Sequence, residues 1–551
     1  MRLTFLVAFA TASAMSAGTL SMWPVDALVK VFPQDAPGTA RAAPQPWLIP
    51  RNGHASVQFA IRADETIKNL AARVNCGVGL ECQVRHVGYV PVSSNPPKTP
   101  DDEILRPAPA FFPDPLFESF PYTLPHSRTD SIWVTVYAPL SAKSGTYKGE
   151  LVIEAAGQRL GAGEFLIRVV EAAVPDRQTL RVTNWLNTSP AHFAEYYKIS
   201  TEDDRYWKLL GNIGRVMGAH KQNVILTPVM ELADARIEDG RIMYGFTRLD
   251  RWVQTFEEAG ISIIEGGHLL SRVSGYQTPL RIPAYVIEDG KVAVRKLEPE
   301  DSRAEQYLHS FLSALYAHLK ERGWTGRYVQ HIHDEPHGDE RPLYNRYAKL
   351  IRSELPGIPT VDAVSLDQDL GFFADVADIW VPVLGSFDKQ MDKIQAHVAK
   401  GGQAWFYTCI YPQDRYLNRF TDLPLMKTRL LHWLNYRYGF DGFLHWGGNY
   451  WSREPFDNVQ PVINDGTTLL PAGDNAIVYP WPEKNTVLSS IRLEAMREGV
   501  EDYELLVALG KRDPARARQL AAEAIPHFTD YVRDIGVFRK LHARLLGQSN
   551  F

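Results

Sequence analysis

The stretch HIHDEPHGDE, residues 331–340, places three histidines and four carboxylates in ten positions. Groups of these types can hold a metal, exchange protons with a substrate, or close a strand with a solvated loop. A zinc site would use His331 and His333, which share one face of an extended strand, together with a carboxylate. Further ligands are then needed, and only the isolated His268 and His445 stand near other strand ends. A purely structural loop would turn Val329, His331, His333 and Glu335 one way and Asp334 the other, and burying such groups without a purpose is costly. Proton transfer fits the residue types better. Cleaving a glycosidic bond takes one carboxylic acid to protonate the leaving oxygen and a second group to stabilise positive charge at the sugar carbon. Adjacent Asp334 and Glu335 suit a variant in which the sugar's own 2-acetamido oxygen attacks the anomeric carbon. One carboxylate then holds the amide N–H and the other supplies the proton. The backbone must bend for both to face one pocket, and like charges so close push one pKa upward. This chemistry calls for no metal and no cofactor.

Two later stretches add groups suited to sugars. QAWFYTCIYP carries Trp405, Tyr407 and Tyr411, and HWGGNYW carries His445, Trp446, Asn449, Tyr450 and Trp451. Sugars offer apolar C–H faces that stack on aromatic rings, and hydroxyls that need donors and acceptors. Gly447 and Gly448 permit close backbone approach where Trp446 ends its strand. The expected substrate contacts are His333, Tyr407, His445, Trp446, Asn449 and Trp451, around the catalytic pair Asp334 and Glu335. Three other readings stay open: a carbohydrate-binding protein without catalysis, a metal-dependent hydrolase built on His331 and His333, and a retaining glycosidase with a separate nucleophile such as Glu265 or Asp362.

These residues need a frame that brings strand ends together. From about residue 180, short apolar strands alternate with polar turns and segments of helix length: LRVTNWLN, NVILTPV, SIIEGGHLL, YVQHIHDEP, PTVDAVS, ADIWVPVL, QAWFYTCIYP and GFLHWGGNYW. Eight such units predict a (β/α)8 barrel of TIM type, whose chemistry sits at the C-terminal strand ends. No glycine-rich dinucleotide turn follows the first strand, which argues against a doubly wound sheet. Between the third and fourth strands, AYVIEDGKVAVRKL predicts a hairpin turning on Asp289-Gly290. Ahead of the barrel, SIWVTVYAPL, GTYKGELVIEA and GEFLIRVVEAAVP alternate apolar with polar residues between Pro-rich breaks, the pattern of an antiparallel β-sandwich. After it, Leu493, Met496, Val500, Tyr503 and Val507 form a helical stripe, and one or two further helices follow.

With these blocks in place, the chain resembles glycoside hydrolase family 123 and the overlapping group known as domain of unknown function 4091. The resemblance rests on HDEP at 333–336, YGFDGFLHWGGNYW at 438–451, GDNAIVYP at 473–480 and SIRLEAMREGVEDYELL at 490–506, and it spans roughly residues 120–510. It implies a retaining β-N-acetylgalactosaminidase that works through an oxazoline, with Glu335 as general acid and then base, and with Asp334 orienting and polarising the acetamido group. Position and chemistry make Tyr407 the expected donor to the acetamido oxygen. Arg492, Glu494 and Arg497 either bind substrate or fix the final helix by an ion-pair network, and the second role is the expected one.

The 551-residue chain exceeds what one core usually serves. The expected divisions are an export signal at 1–17, a β-sandwich at 18–175, the (β/α)8 catalytic barrel at 176–510 and C-terminal helices at 511–551. Arg2, an apolar run and Ala12-Ser13-Ala14 make up the signal pattern, so a secreted or periplasmic location is expected. No other stretch is apolar enough to span a bilayer. A formal net charge of −5 and the absence of any basic block give no pointer to nucleic acid, which leaves a carbohydrate as the expected partner. Cys76 and Cys82 bracket a short loop and can pair after export or stay as two thiols, while Cys409 reads as a core residue.

Overall fold

The computed structural model describes residues 20–38, 46–200, 203–274, 277–366, 368–386, 389–463 and 466–548. The expected export signal at 1–17 lies outside the described residues. The chain forms two compact units. Among the described residues, one takes 20–89, 111–174 and 546–548, and the other takes 90–110 and 175–545.

The first unit holds two five-stranded sheets. Its long strands are the alternating runs of the sequence: Thr129–Ala138, Gly145–Ala155 and Gln158–Ala173. Alternation turns Ile132, Val134 and Val136 of one sheet and Leu151, Ile153, Phe165 and Ile167 of the other into one shared core. The long strands pair antiparallel with their neighbours, and Trp47–Arg51 runs parallel to the end of the longest strand. A disulfide joins Cys76 to Cys82.

In the second unit eight short parallel strands form one sheet. They are β1 (Arg181–Asn184), β2 (Val224–Thr227), β3 (Ile263–Gly266), β4 (Tyr328–His331), β5 (Thr360–Val364), β6 (Ile379–Pro382), β7 (Gln403–Tyr407) and β8 (Gly442–His445). Their spatial order is β1, β8, β7, β6, β5, β4, β3, β2, so the ends of the sheet meet at β1 and β2. The ladder is incomplete at that seam and side-chain amides complete it. Asn223 N–H donates to Val182 O at 3.2 Å, and its side-chain oxygen accepts from Val182 N at 2.9 Å. Gln222 does the same for Asn184, accepting from its N–H at 3.1 Å. The result is a nearly closed barrel of the expected class, with antiparallel sheets ahead of it and helices behind.

Helices α1 (Asp204–Ala219), α2 (Thr247–Glu257), α3 (Ser302–Glu321), α4 (Arg341–Glu354), α5 (Met391–Ala399), α6 (Leu425–Tyr438) and α7 (Ile491–Arg512) alternate with the strands. A single 3-10 turn, Leu370–Phe373, replaces the helix between β5 and β6. The insertion after β3 contains the expected hairpin, Gln277–Glu288 with Lys291–Leu297, and both turn residues, Asp289 and Gly290, have positive φ. Helix α7 departs from a simple stripe: residues 491–506 are buried on every side, charged ones included, and Val507 is only half-buried. Two more helices, Pro514–Ala524 and Ile535–Leu545, complete the chain.

Candidate active site

A cavity of about 600 Å³ opens at the C-terminal ends of the strands. Its walls come from the ends of β1, β4, β5, β7 and β8 and from the long loops after β7 and β8, which is where barrel enzymes carry their chemistry. Asp334 and Glu335 both line it. β4 ends at His331, earlier than the HDEP run suggests, so the acidic pair lies on the turn that follows. Glu335 adopts φ 46°, the left-handed region, which breaks the alternation of an extended chain and turns two neighbouring side chains into one cavity. For a residue other than glycine this conformation costs about 1–2 kcal/mol, so neighbouring groups must hold it.

Arg272 binds Glu335 directly, and Asp362 fixes the backbone that leads into it. Arg272, from the insertion after β3, donates to the carbonyl of Glu335 at 2.9 Å while its guanidinium is forked on Glu340 at 2.8 Å. Asp362, in the middle of β5, accepts from the N–H groups of Ile332 and His333 at 3.1 and 3.2 Å, and from Tyr344 OH at 2.7 Å. Beneath the pair, His331 lies between two buried carboxylates, with Nδ1 3.0 Å from Asp362 and Nε2 2.7 Å from Glu265. Both nitrogens must donate, so the ring is an imidazolium. Burial opposes that charge, but the two carboxylates prevail and lift His331 to about 10. Glu265 also accepts from Thr183 Oγ1 at 2.8 Å and Trp185 Nε1 at 3.0 Å. Glu265 and Asp362 are thus committed to a support layer below the cavity.

Burial raises both Asp334 and Glu335 above the usual carboxylate range. Charge on His333, His331 and Arg272 works against the rise at Asp334. At Glu335 the opposing influence is a hydrogen bond that Tyr407 OH donates to Oε1. Burial likewise keeps the Tyr407 and Tyr450 hydroxyls protonated, the latter raised to about 12. Among the described residues the Asp334 carboxyl has no hydrogen-bond partner, which leaves its oxygens to a ligand.

Of the expected contacts, the structure brings Tyr407 and Trp446 to the cavity beside the acidic pair. The others stand behind it. His333 is buried, its ring directed to Leu270 O at 3.3 Å and to Glu340 at 3.5 Å. His445 accepts at Nδ1 from Arg419 at 2.6 Å and from Gly447 N at 3.0 Å. Asn449 is spent on the backbone of Asn187, at 2.7 and 3.1 Å. Trp451 donates to Val478 O at 2.7 Å and stacks on His192. The chain leaves β8 at His445, so period-two spacing no longer decides which side chains face the opening. Trp405 is fully buried, and Tyr411 lines the cavity. Cys409, half-buried and packed against the barrel core, does too.

Trp185, Tyr450 and Asp474 also line the cavity. Asp474 lies in the GDNAIVYP block, whose spacing carries no chemical signal of its own. Arg272 sits in an insertion with no motif at all. For metal binding, His268, His331 and Asp362 bring ligand atoms within 4.8 Å of one another. A cation there would have to displace a proton from the doubly hydrogen-bonded His331. His331 and His333, the pair of the metal reading, have different partners.

Comparisons with known proteins bear on the family and the fold. The model of the glycoside hydrolase 123 catalytic domain matches residues 185–509. Among solved structures, a family 123 glycoside hydrolase from Clostridium perfringens, studied for glycolipid glycan hydrolysis, superposes with a TM-score of 0.74 at 16% identity, covering 97% of this chain and 98% of that one. A family 5 xyloglucanase from Bacteroides ovatus matches with a TM-score of 0.32 at 8% identity, covering 83% and 99% of the two chains. A family 39 glycoside hydrolase from Bacteroides cellulosilyticus matches at 0.35 and 10%, covering 82% and 81%. No curated protein matches. With its catalytic-domain match spanning more than half the chain and an acidic pair at the mouth of the barrel, the protein belongs to glycoside hydrolase family 123.

Proposed function

We propose that this glycosidase is an exported, retaining β-N-acetylgalactosaminidase that uses the acetamido group of its substrate as the nucleophile. The observation that carries the reading is the left-handed Glu335, which directs adjacent Asp334 and Glu335 into one cavity. The two carboxylates that could have served as separate nucleophiles, Glu265 and Asp362, are engaged by His331, Thr183, Trp185 and Tyr344. In this scheme protonated Glu335 gives its proton to the leaving oxygen. Asp334 takes the amide N–H proton as the acetamido carbonyl oxygen attacks the anomeric carbon, which gives a neutral oxazoline. Water then gives a proton to Glu335 and attacks the same carbon, and Asp334 returns its proton to the nitrogen as the ring reopens with net retention. Trp446 and Tyr450 offer ring faces to the sugar. Glycolipid glycans, the subject of the Clostridium perfringens structure, are a reasonable class of natural substrate.

The test is release of nitrophenol from the β-linked N-acetylgalactosamine, N-acetylglucosamine and galactose glycosides. The expected result is release from an acetamido sugar alone, with the β-anomer as first product, and a loss of about 10²–10⁴-fold in Glu335→Gln. Equal hydrolysis of the plain galactoside, or full activity in the variant, would refute the reading. Activity abolished by a chelator and restored by zinc would move the metal-dependent alternative ahead of it.

A further inference from the structure

In the proposed function, on which this inference rests, Glu335 gives its proton to the leaving oxygen. The group beyond that oxygen, the aglycone, therefore lies on the Glu335 side of the cavity. Tyr407, the last residue of β7, donates to the Glu335 carboxyl. Asp334 instead lies near Tyr450, on the loop after β8, whose hydroxyl its charge helps to raise. The aglycone thus meets the part of the mouth built by β7 and its neighbours β6 and β5.

That part is apolar. It presents Leu366 after β5, Val383 after β6, and Ile410 and Tyr411 after β7, with Ser365 and half-buried Cys409 as small polar exceptions. Among the described residues, no Asn, Gln, Arg, Lys or His lines the cavity. The loop after β7 also satisfies its own backbone: Cys409 N–H donates to Tyr411 O at 2.7 Å, and the Asn418 side chain donates to the carbonyls of Cys409 and Pro412 at 2.9 Å each. A second sugar would bring several hydroxyls against this wall and leave them without protein partners, which is unfavourable.

The paired segments 461–463 and 466–470, on the loop after β8, carry the apolar surface outward. Ile463 N–H donates to Thr468 O at 2.9 Å and Leu470 N–H to Pro461 O at 3.0 Å, and both Ile463 and Leu470 line the cavity. Gln460 anchors their base, accepting from the N–H groups of Ser93 and Ser94 at 2.7 and 3.2 Å. Ile463 is 37% exposed and Tyr411 42%. Large apolar side chains left open to water at the mouth of a cavity mark a contact surface. The cavity itself, at about 600 Å³, is roomier than one sugar ring needs and falls in the range of sites that hold drug-sized ligands.

We infer that this wall binds the aglycone, and that the aglycone is an alkyl or aryl group joined directly to the cleaved sugar, not a second sugar. Among glycolipids, this selects those whose cleaved sugar sits on the lipid itself.

The experiment measures kcat/KM of the full-length protein on methyl, butyl and octyl β-N-acetylgalactosaminides, below the concentration at which the octyl compound forms micelles. A disaccharide with the same sugar β-linked to methyl galactoside is run beside them. The three alcohols are nearly equal as leaving groups, so chain length reports binding to the wall. Each methylene buried there should raise kcat/KM about fourfold, which puts the octyl glycoside roughly tenfold or more above the methyl one and above the disaccharide. Ile463→Ser and Ile410→Ser should each lower the octyl-to-methyl ratio by about threefold or more, a split that a merely structural role would not produce. Equal rates along the alkyl series, or a disaccharide that outruns the octyl glycoside, would overturn the inference. An octyl advantage that appears only above the micelle concentration would overturn it as well, and would assign the exposed side chains to an assembled lipid surface. If only plain galactosides are cleaved, the acetamido reading fails, and the alkyl galactosides still test the wall. Should alkyl glycosides turn over too slowly to follow, competition by their 1-thio analogues decides, with equal inhibition by the methyl and octyl compounds counting against the inference.

Discussion

At the scale of single residues, the proposed chemistry depends on two neighbouring acids doing different work. Asp334→Asn should cut turnover on acetamido glycosides by at least a hundredfold in steady-state assays, because the amide N–H loses its acceptor as the oxazoline forms. Tyr407 makes a subtler prediction. Its hydroxyl donates to Glu335, which favours the ionised carboxyl. Removing it in Tyr407→Phe should raise the Glu335 pKa and so move the basic limb of the kcat/KM profile to higher pH. A limb that stays in place, or moves down, would separate Tyr407 from the acid. The pairing of Asp334 with Glu335 was legible in the sequence because chemical type and adjacency were enough. The need for a bend was legible too, but the left-handed Glu335 that provides it was not, since proline at 336 restricts its predecessor without selecting that region.

At the scale of elements, the site rests on β3, β4 and β5 joined through one imidazolium. His331 has a value of about 10 in the fold against 6.5 ordinarily. Its contribution to stability is therefore complete below about pH 6.5 and is lost as the pH rises through about 10. Denaturant melts should show stability falling across that interval, more steeply than in His331→Gln. The variant should itself lose about 3–5 kcal/mol at neutral pH, because two buried carboxylates lose their partner. Strand positions were readable from apolar runs, and all eight segments contain a barrel strand. Which side chains face the opening was not readable at β8, because the chain turns off the strand at His445 and Asn449 caps a loop instead. Arg272 was equally hidden: its role depends on an insertion folding back over Glu335, a contact 63 residues away in sequence.

At the scale of the whole molecule, the seam between β1 and β2 and the disulfide of the sandwich unit carry the clearest consequences for stability. Removing the Cys76–Cys82 link with a double serine variant should cost roughly 2 kcal/mol, read as a lower urea midpoint, given its short loop. The bond also suits the proposed export, since disulfides persist in oxidising compartments. Cell fractionation that finds the protein in the cytoplasm with both thiols free would count against that location. The sandwich-then-barrel order was legible from the change of periodicity near residue 175. The grouping of residues 90–110 with the barrel unit was not. It depends on distant partners such as Asn95 with Asp422 at 2.8 Å and Ser93 with Gln460 at 2.7 Å, which no local pattern announces.

The central claim is that the substrate supplies its own nucleophile. The direct measurement is kcat for nitrophenyl β-N-acetylgalactosaminides in which the acetyl methyl carries zero, one, two or three fluorines. Each fluorine withdraws electron density from the carbonyl oxygen, so attack through that oxygen predicts a steep, stepwise fall in kcat across the series. A flat dependence would contradict the account and return the nucleophile to a carboxylate of the protein.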